Sequence, residues 1–187
     1  MIHDKKRALI VRGIAVVIAA AVLSAQPPVR TPDIHYVPTR QSIANAMLEL
    51  AHVTPADVVY DLGSGDGRIV VIAAQKYGAR GVGVELDHQL VERSREIARE
   101  GGVADRVTFI EGDLFTTDIS PATVVTLYLS TTVNMRLESK LKRELEPGTR
   151  IVSEQFRIGV WPPDVAIRAE NQPLFLWTIP ASPGAPR

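Results

Sequence analysis

The 187-residue chain has no cysteine, few aromatic residues (5%) and no excess of charge of either sign. Without cysteine it can form neither disulfide bonds nor thiolate metal sites, and it has no cysteine nucleophile. Acidic and basic residues number 21 each, which argues against a protein that binds nucleic acid through a strong basic excess. At this length, with 45% hydrophobic residues, the sequence predicts one domain with a full core.

Histidine is also scarce, and its positions do not indicate a metal centre. No two of the four histidines have the spacing of metal ligands on one helix. We therefore predict no metal site and expect structural or solvent-exposed roles for all four, which are His3, His35, His52 and His88.

The chain lacks an apolar run long enough to span a bilayer comfortably. The uncharged apolar residues 13–25 follow basic residues at 5–7, which is the arrangement of a signal peptide or a short anchor. About 20 residues are needed for a span, and the run approaches this length only if it starts at Ala8 and Arg12 snorkels. In either case we expect the segment to contact a membrane.

A glycine-rich loop separates a predicted strand from a predicted helix. The β-forming residues 58–60 precede it, the apolar residues 69–74 follow it, and residues 61–68 read Asp-Leu-Gly-Ser-Gly-Asp-Gly-Arg. A dinucleotide-binding fingerprint that begins at Gly63 would need its third glycine at the position of Arg68. The loop therefore does not match that fingerprint, although glycine-rich turns join strands to helices in many α/β proteins.

The pattern Asp-x-Gly-x-Gly-x-Gly instead resembles motif I of the class I S-adenosylmethionine methyltransferases. This resemblance implies that the loop passes under the methionine part of S-adenosylmethionine, a zwitterion with a sulfonium centre. The carboxylate of Asp61 then faces the amino group of the ligand. The implied contacts of the loop are Gly63, Ser64, Gly65 and Gly67.

An acidic residue lies near the end of the next predicted strand, residues 81–87. Glu85 follows the glycine loop by about 20 residues, where a carboxylate can accept hydrogen bonds from ribose hydroxyls in a doubly wound sheet. Taken with Asp61 and the loop, it predicts a binding site for S-adenosylmethionine, to which we also assign Leu86. Taken alone, Glu85 would equally suit an exposed carboxylate at a strand end.

The same resemblance assigns further positions to the cofactor. Residues 106–111 are predicted as the third strand, after which class I methyltransferases carry an acidic residue that reaches the adenine amino group. By position this residue is Asp113, followed by Leu114, and the alternative is an aspartate in a turn. Tyr36, ahead of the first predicted helix, either closes over the cofactor or packs on that helix.

The fourth strand, residues 122–129, is a nearly continuous apolar run, as expected of a buried central strand. In class I methyltransferases its end faces the transferred methyl group. Enzymes that act on adenine or on glutamine amides have Asn or Asp followed by Pro-Pro-Tyr there. This chain has Leu127-Tyr128-Leu129-Ser130, which disfavours such acceptors.

Two side chains are predicted on the acceptor side of the site. Tyr128 is expected at the methyl group, with a core tyrosine as the alternative. Glu154, near the end of the fifth strand, is expected within reach of the acceptor, unless it only faces solvent.

The remaining pattern completes an α/β fold. The other predicted helices are 40–50, 89–100 and 134–145, and Thr39 is predicted to cap the first. The other predicted strands are 150–156, 165–169 and 174–179, the last two as an antiparallel hairpin. Together they predict a single Rossmann-like, doubly wound and mostly parallel sheet of seven strands.

The expected organisation along the chain has four parts. These are a membrane anchor or signal segment at 1–25, a proline-rich linker at 26–38, a methyltransferase domain at 39–179 and a disordered tail at 180–187.

Four stretches carry a more specific resemblance: Tyr36-Val37-Pro38-Thr39, residues 59–68, Gly83-Val84-Glu85-Leu86-Asp87 and Thr126-Leu127-Tyr128-Leu129. Together they resemble the small protein-lysine methyltransferases related to the ATP synthase c-subunit and adenine nucleotide translocase methyltransferases, over roughly residues 36–164. The resemblance implies S-adenosylmethionine as methyl donor and a lysine of a membrane protein as acceptor, with neither a metal nor a nucleic acid. Tyr128 and Glu154 would then orient the lysine amine or take its proton.

Two other functions stay open at this point: methylation of a small molecule, and an exported protein of this fold that binds a nucleotide without catalysis. Two arguments about the cellular location of the domain lead to opposite conclusions. Basic residues ahead of the segment 8–25 should remain in the cytoplasm, which would place the domain outside. Because S-adenosylmethionine is a cytosolic compound, we expect a membrane-associated protein with its catalytic domain on the cytoplasmic side, and export as the alternative.

Overall fold

The computed structural model describes residues 36–181 of the chain. The predicted membrane segment 1–25 lies outside this range, as do residues 26–35 of the predicted linker and residues 182–187 of the predicted tail. Within the described range, no helix combines the length and the apolar character needed to cross a membrane.

One sheet of seven strands forms the centre of the domain. The strands are β1 Val58–Leu62, β2 Arg80–Glu85, β3 Val107–Glu111, β4 Val124–Leu127, β5 Arg150–Glu154, β6 Val165–Ala169 and β7 Gln172–Thr178. Their order across the sheet is β3-β2-β1-β4-β5-β7-β6. The first five strands are parallel, and β7 is antiparallel to both β5 and β6. This confirms the predicted doubly wound α/β fold and its terminal hairpin.

Four helices cover the sheet. They are α1 Gln41–Leu50, α2 Arg68–Tyr77, α3 His88–Glu100 and α4 Thr131–Glu144. Successive strand residues point to opposite faces, so Val59 and Val124 join one apolar cluster and Tyr60 and Val125 join another. The buried apolar side chains of α1, α2 and α3 belong to the first cluster and those of α4 to the second. The sheet is therefore covered on both faces, which suits its buried parallel strands.

The connections place a switch point between β1 and β4. From β1 the chain crosses through α2 to β2 on one side, and from β4 it crosses through α4 to β5 on the other. Ligands of open α/β sheets bind at this crevice, outside the carboxyl ends of the strands. The glycine loop follows Leu62 at the end of β1. The other four parallel strands end at Glu85, Glu111, Leu127 and Glu154.

Several element ends differ from the sequence expectation. The second strand stops at Glu85, because Asp87 accepts hydrogen bonds from the backbone of Gln89 (2.8 Å) and Leu90 (3.3 Å) and begins α3. The fifth strand stops at Glu154, because Gln155 has a left-handed backbone (φ 66°) that turns the chain out of the ladder.

The predicted cap of the first helix is wrong. Arg40 occupies the N-cap position of α1, and no side chain caps this end. The hydroxyl of Thr39 donates a hydrogen bond to Glu154 Oε2 (2.9 Å) instead.

Candidate active site

The glycine loop is fixed to the neighbouring strand. The backbone N–H groups of Gly63 and Ser64 both donate to the carbonyl of Val84 in β2, at 2.8 and 3.0 Å. The amide of Gly67 closes a turn onto the carbonyl of Ser64 at 2.9 Å. These bonds hold the loop across the carboxyl ends of β1 and β2, directly before the N-terminus of α2.

Gly65 shows why this loop needs glycine. Its φ of 55° lies in the left-handed region, and a Cβ added there would overlap Cε2 of Tyr36. The ring of Tyr36 therefore lies against the loop, beside Asp66, while the residue is still 45% exposed. Desolvation and the carboxylate of Asp66 raise the pKa of Tyr36.

Asp61 is a buried carboxylate at the switch point. It lies opposite Thr126 of β4 in the sheet register, and the Thr126 hydroxyl donates to its Oδ1 at 2.7 Å. Burial raises the pKa of Asp61 to about 7, the charges of Glu85 and Asp66 add to the rise, and the Thr126 bond opposes it. No cationic side chain within residues 36–181 pairs with it. A cationic group of a ligand would supply the missing partner.

The carboxylate of Glu85 accepts hydrogen bonds from the glycine loop and from the turn after β2. Its Oε2 accepts from the amide of Gly65 at 2.9 Å, and its Oε1 accepts from Leu86 (2.8 Å) and Asp87 (3.0 Å). Glu85 is partly exposed, so its oxygens retain lone pairs that can accept from ligand hydroxyls. The predicted ribose-binding residue thus lies beside the loop, as expected from the strand order.

Two more predicted cofactor positions lie at the same edge. Asp113 follows β3 and accepts a hydrogen bond from the backbone of Phe115 at 2.9 Å, so it begins a turn. A Cβ placed on Gly63 would lie 3.9 Å from Leu114 and 2.7 Å from Leu129, so both leucines flank the loop. The hydroxyl of Ser64 is buried and makes no hydrogen bond within the described residues.

An ion pair joins the loop to the segment before α1. Arg68 donates from Nε to Asp66 Oδ1 (2.9 Å) and from Nη2 to Asp66 Oδ2 (2.6 Å), which is a two-bonded pair. Its remaining Nη1 donates to the carbonyl of Thr39 at 2.9 Å. Burial alone would raise the pKa of Asp66, but the bonds from Arg68 lower it below its usual value.

The two residues predicted on the acceptor side, Tyr128 and Glu154, lie at the ends of β4 and β5. Tyr128 follows β4, and its ring stacks on Phe156 with 6.4 Å between centroids. Glu154 is 3% exposed, and burial raises its pKa, while the Thr39 bond and the charge of Arg40 oppose the rise. Burial and the charge of Glu154 raise the pKa of Tyr128.

A small cavity places Tyr128 beside Asp61 and the glycine loop, and Glu154 is not among its lining residues. Its volume is about 30 Å³, and it is lined by Val37, Pro38, Thr39, Asp61, Gly63, Ser64, Asp66, Arg68, Ile69 and Tyr128. Asp61 and the loop therefore share one cavity with Tyr128. Within residues 36–181, no three histidine, aspartate or glutamate side chains cluster as metal ligands.

Sequence reasoning missed three residues that shape this site. The sequence predicts only a helix cap for Thr39 and only a strand position for Phe156. Asn134 of α4 is fully buried, and its Nδ2 donates to Ser153 Oγ (3.1 Å) and to the carbonyl of Phe156 (3.2 Å). The one available signal in the sequence is that Asn134 has helical spacing to Leu137 and Leu141, which puts a polar residue on the apolar face of this helix.

Known proteins resemble this chain over most of the described domain. Residues 61–165 match the family model described as the ANTKMT methyltransferase domain. A protein-lysine N-methyltransferase of Saccharolobus islandicus is 42% identical, and the match covers 79% of this chain and 95% of that protein. The human ATP synthase c-subunit lysine N-methyltransferase is 34% identical over 79% of this chain, a match that covers 63% of the human protein.

A solved structure resembles the chain in three dimensions as well. It is the crystal structure of an RNA methyltransferase from Salinibacter ruber in complex with S-adenosyl-L-homocysteine. Its TM-score is 0.77 and its sequence identity 53%, with 78% of this chain and 95% of that chain covered.

Proposed function

The chain belongs to the ANTKMT methyltransferase domain family and is an S-adenosylmethionine-dependent methyltransferase, and from this premise we propose that it methylates a lysine side chain of a protein. One observation carries the proposal: Tyr128 lies in the cavity that contains Asp61 and the glycine loop, and it interacts electrostatically with the buried carboxylate of Glu154. This arrangement puts a carboxylate and a phenol beside a site for a methyl donor, where a lysine ammonium can be bound and deprotonated.

The cofactor half of the site is assigned residue by residue. Asp61 holds the amino group of the methionine part, and Gly63, Ser64, Gly65 and Gly67 form the floor beneath it. Bound S-adenosylmethionine supplies an activated methyl group on its sulfonium.

The nucleoside part of the cofactor has its own set of residues. Glu85 and Leu86 take the ribose, while Asp113 and Leu114 take the adenine. Tyr36 lies over the loop and closes the methionine end. These assignments are supported by the strand ends, because the residues that take the nucleoside follow the carboxyl ends of β2 and β3.

Tyr128 and Glu154 act on the acceptor. A lysine amine has a reference pKa of about 10.4, so it must lose a proton before it can attack the methyl group. The ionised carboxylate of Glu154 attracts the ammonium and receives this proton, and the hydroxyl of Tyr128 orients the free amine. Burial raises the pKa of Glu154, which makes it a better base than an exposed carboxylate.

Exposed apolar side chains around the mouth favour a protein acceptor over a small molecule. Tyr36 and Val37 are 45% and 58% exposed beside the cavity. Apolar groups left at the rim of a site are characteristic of surfaces that bind a partner.

We further propose that the protein works at a membrane. The human relative is named for the c-subunit of ATP synthase, and this chain carries the apolar residues 8–25 ahead of its domain. The catalytic domain then faces the cytoplasm, where the methyl donor is available. The full chain should float with lipid vesicles in a density gradient, and a chain that starts at Tyr36 should not. Equal flotation of the two proteins contradicts the membrane contact.

The acceptor is identified by transfer of a labelled methyl group. The full chain is incubated with labelled S-adenosylmethionine and membranes of the source cell, and labelled proteins are separated by gel and examined by mass spectrometry. We expect a protein labelled on lysine. The matched control is Tyr128→Phe, which should lower turnover about tenfold or more with almost unchanged binding of S-adenosylhomocysteine.

RNA is a second candidate acceptor, because the similar solved structure is described as an RNA methyltransferase and is 53% identical in sequence. The balanced charge of the chain does not favour RNA, because it provides no basic excess. Total RNA is therefore added to a parallel reaction. Label that is removed by ribonuclease and not by protease contradicts lysine methylation, and label in neither polymer points to a small-molecule acceptor.

A further inference from the structure

Thr39 is held on both sides by residues of the site. Its side chain is buried, and its hydroxyl donates to Glu154 Oε2 at 2.9 Å across 115 residues of sequence. Its carbonyl accepts from Arg68 Nη1 at 2.9 Å, and Arg68 is paired through two bonds with Asp66 of the glycine loop. Thr39 therefore lies between the cofactor loop and the carboxylate on the acceptor side.

The local chain structure does not need this hydroxyl. A threonine before a helix commonly caps it, but α1 begins from Arg40 and has no side-chain cap. The hydroxyl donates its hydrogen bond to Glu154 instead, which indicates a role in the site.

The surroundings of Glu154 contain few polar groups. Within residues 36–181, the Thr39 hydroxyl is the one side chain that donates a hydrogen bond to its carboxylate. Arg40 attracts the carboxylate at longer range and is itself paired with Glu170 at the β6–β7 turn (3.2 Å). Tyr128 faces it from the end of β4, and on the β7 side the register partner is the apolar Leu174.

We propose that Thr39 is a positioning residue for lysine methylation, which fixes one carboxylate oxygen of Glu154 so that the other oxygen receives the acceptor ammonium. The inference rests on the proposed function. Oε2 is taken by the hydroxyl, and Oε1 makes no hydrogen bond within the described part of the chain. A buried carboxylate with one oxygen held has one direction in which to bind a cation, which fixes where the lysine nitrogen lies relative to the methyl group.

The link through Arg68 extends this role to the cofactor loop. Because Arg68 holds both Asp66 and the Thr39 carbonyl, a shift of the loop changes the position of Thr39. A chain of hydrogen bonds through Arg68 and Thr39 therefore connects the loop to the carboxylate of Glu154.

The hydroxyl bond has an electrostatic consequence that can be measured. A donor to an ionised carboxylate stabilises the anion, so the Thr39 bond lowers the pKa of Glu154 against the burial that raises it. Without this donor the carboxylate holds its proton to higher pH. The acidic limb of the rate profile then moves to higher pH as well, because the reaction needs the ionised form.

The test compares Thr39→Val with Thr39→Ser in the full chain. Valine keeps the shape and removes the donor, and serine restores it. We expect Thr39→Val to lower kcat for the lysine acceptor about tenfold and to move its acidic limb to higher pH, with affinity for S-adenosylhomocysteine changed less than about twofold. Thr39→Ser should recover the rate and the profile. A loss of rate without a shift of the acidic limb overturns the inference, because a merely structural threonine has that effect.

A second measurement needs no acceptor. Glutamate is labelled with ¹³C at the side-chain carboxyl, the Glu154 resonance is identified by its loss in Glu154→Gln, and its pH titration is followed by NMR. We expect the midpoint in Thr39→Val to lie above that of the wild-type protein. Identical midpoints overturn the inference even if the wild-type protein methylates lysine. Absence of lysine methylation by the wild-type protein overturns the proposed function, and this positioning role with it.

Discussion

Asp61 is the residue whose ionisation should be most closely linked to cofactor binding. Its pKa is raised to about 7, first by burial and then by the charges of Glu85 and Asp66. A bound amino cation favours the ionised form, so below pH 7 binding must first displace a proton. Affinity for S-adenosylhomocysteine should therefore fall on the order of tenfold between pH 7.5 and pH 5.5. Calorimetric titration at a series of pH values measures this.

Asp61→Asn is the matched variant for this prediction. The amide preserves the size of the side chain and its acceptor for the Thr126 hydroxyl, and it has no charge to titrate. Its affinity should be weaker at pH 7.5 and nearly independent of pH. A variant that retains the wild-type slope would show that another group carries the proton.

At the scale of elements, the turn after β5 depends on α4, the helix that connects β4 to β5. The carbonyl of Phe156 accepts from Asn134 of α4 and from Ser153 Oγ (2.7 Å). These bonds hold the left-handed Gln155 in place and keep Phe156 stacked on Tyr128. The contact of the Phe156 ring with Tyr128 thus depends on hydrogen bonds from α4 and β5 to the Phe156 backbone.

Asn134→Ala tests this support. Loss of the buried amide should lower the free energy of unfolding by about 1–3 kcal/mol, because polar partners are left unsatisfied. Turnover should also fall, since the Phe156 ring that stacks on Tyr128 is held less firmly, while affinity for S-adenosylhomocysteine stays near that of the wild-type protein. Urea unfolding and steady-state kinetics measure the two effects. Met135→Ala, at an exposed position of the same helix, is the control and should change stability little.

Most helices and strands were predictable from the sequence, because they depend on patterns of neighbouring residues. Apolar runs beside glycines predict β1 and β2, a nearly continuous apolar run predicts β4, and the parallel order then puts Asp61 and Glu85 at one edge. The roles of Thr39 and Asn134 were not predictable in this way. Each depends on a side-chain partner far along the chain, and no spacing rule connects positions that meet only after the sheet has formed.

At the scale of the whole molecule, the sheet has one end for binding and one for stability. Away from the carboxyl edge, Asp57 accepts from the hydroxyls of Thr54 (2.9 Å) and Thr123 (2.7 Å) and forms an ion pair with Arg150. Burial would raise the pKa of Asp57, but these bonds and the arginine charge lower it. This network joins the starts of β1 and β5 with the segment before β4.

Asp57→Asn should therefore weaken the fold without changing the site. The lowered pKa means that Asp57 stabilises the folded state above its unfolded pKa of about 3.9 and that this contribution is lost as the pH falls through the folded value. At pH 7 we expect a loss of roughly 2–4 kcal/mol in the free energy of unfolding, and this difference should shrink as the pH falls below the unfolded pKa of about 3.9. Affinity for S-adenosylhomocysteine should stay unchanged. Asp105→Asn, at an exposed position, should have little effect on either quantity.

The β6–β7 hairpin has a consequence for engineering. Its tip, Glu170-Asn171, has left-handed φ angles of 45° and 68°, is exposed, and is joined to the mouth of the site through the Glu170–Arg40 ion pair. Exposed loop tips tolerate inserted segments. A short peptide-binding module grafted between these two residues would be attached beside Arg40, next to Thr39, while Tyr128 and Glu154 stayed in place. Such a chimera would make the choice of methylated protein a replaceable part of the enzyme.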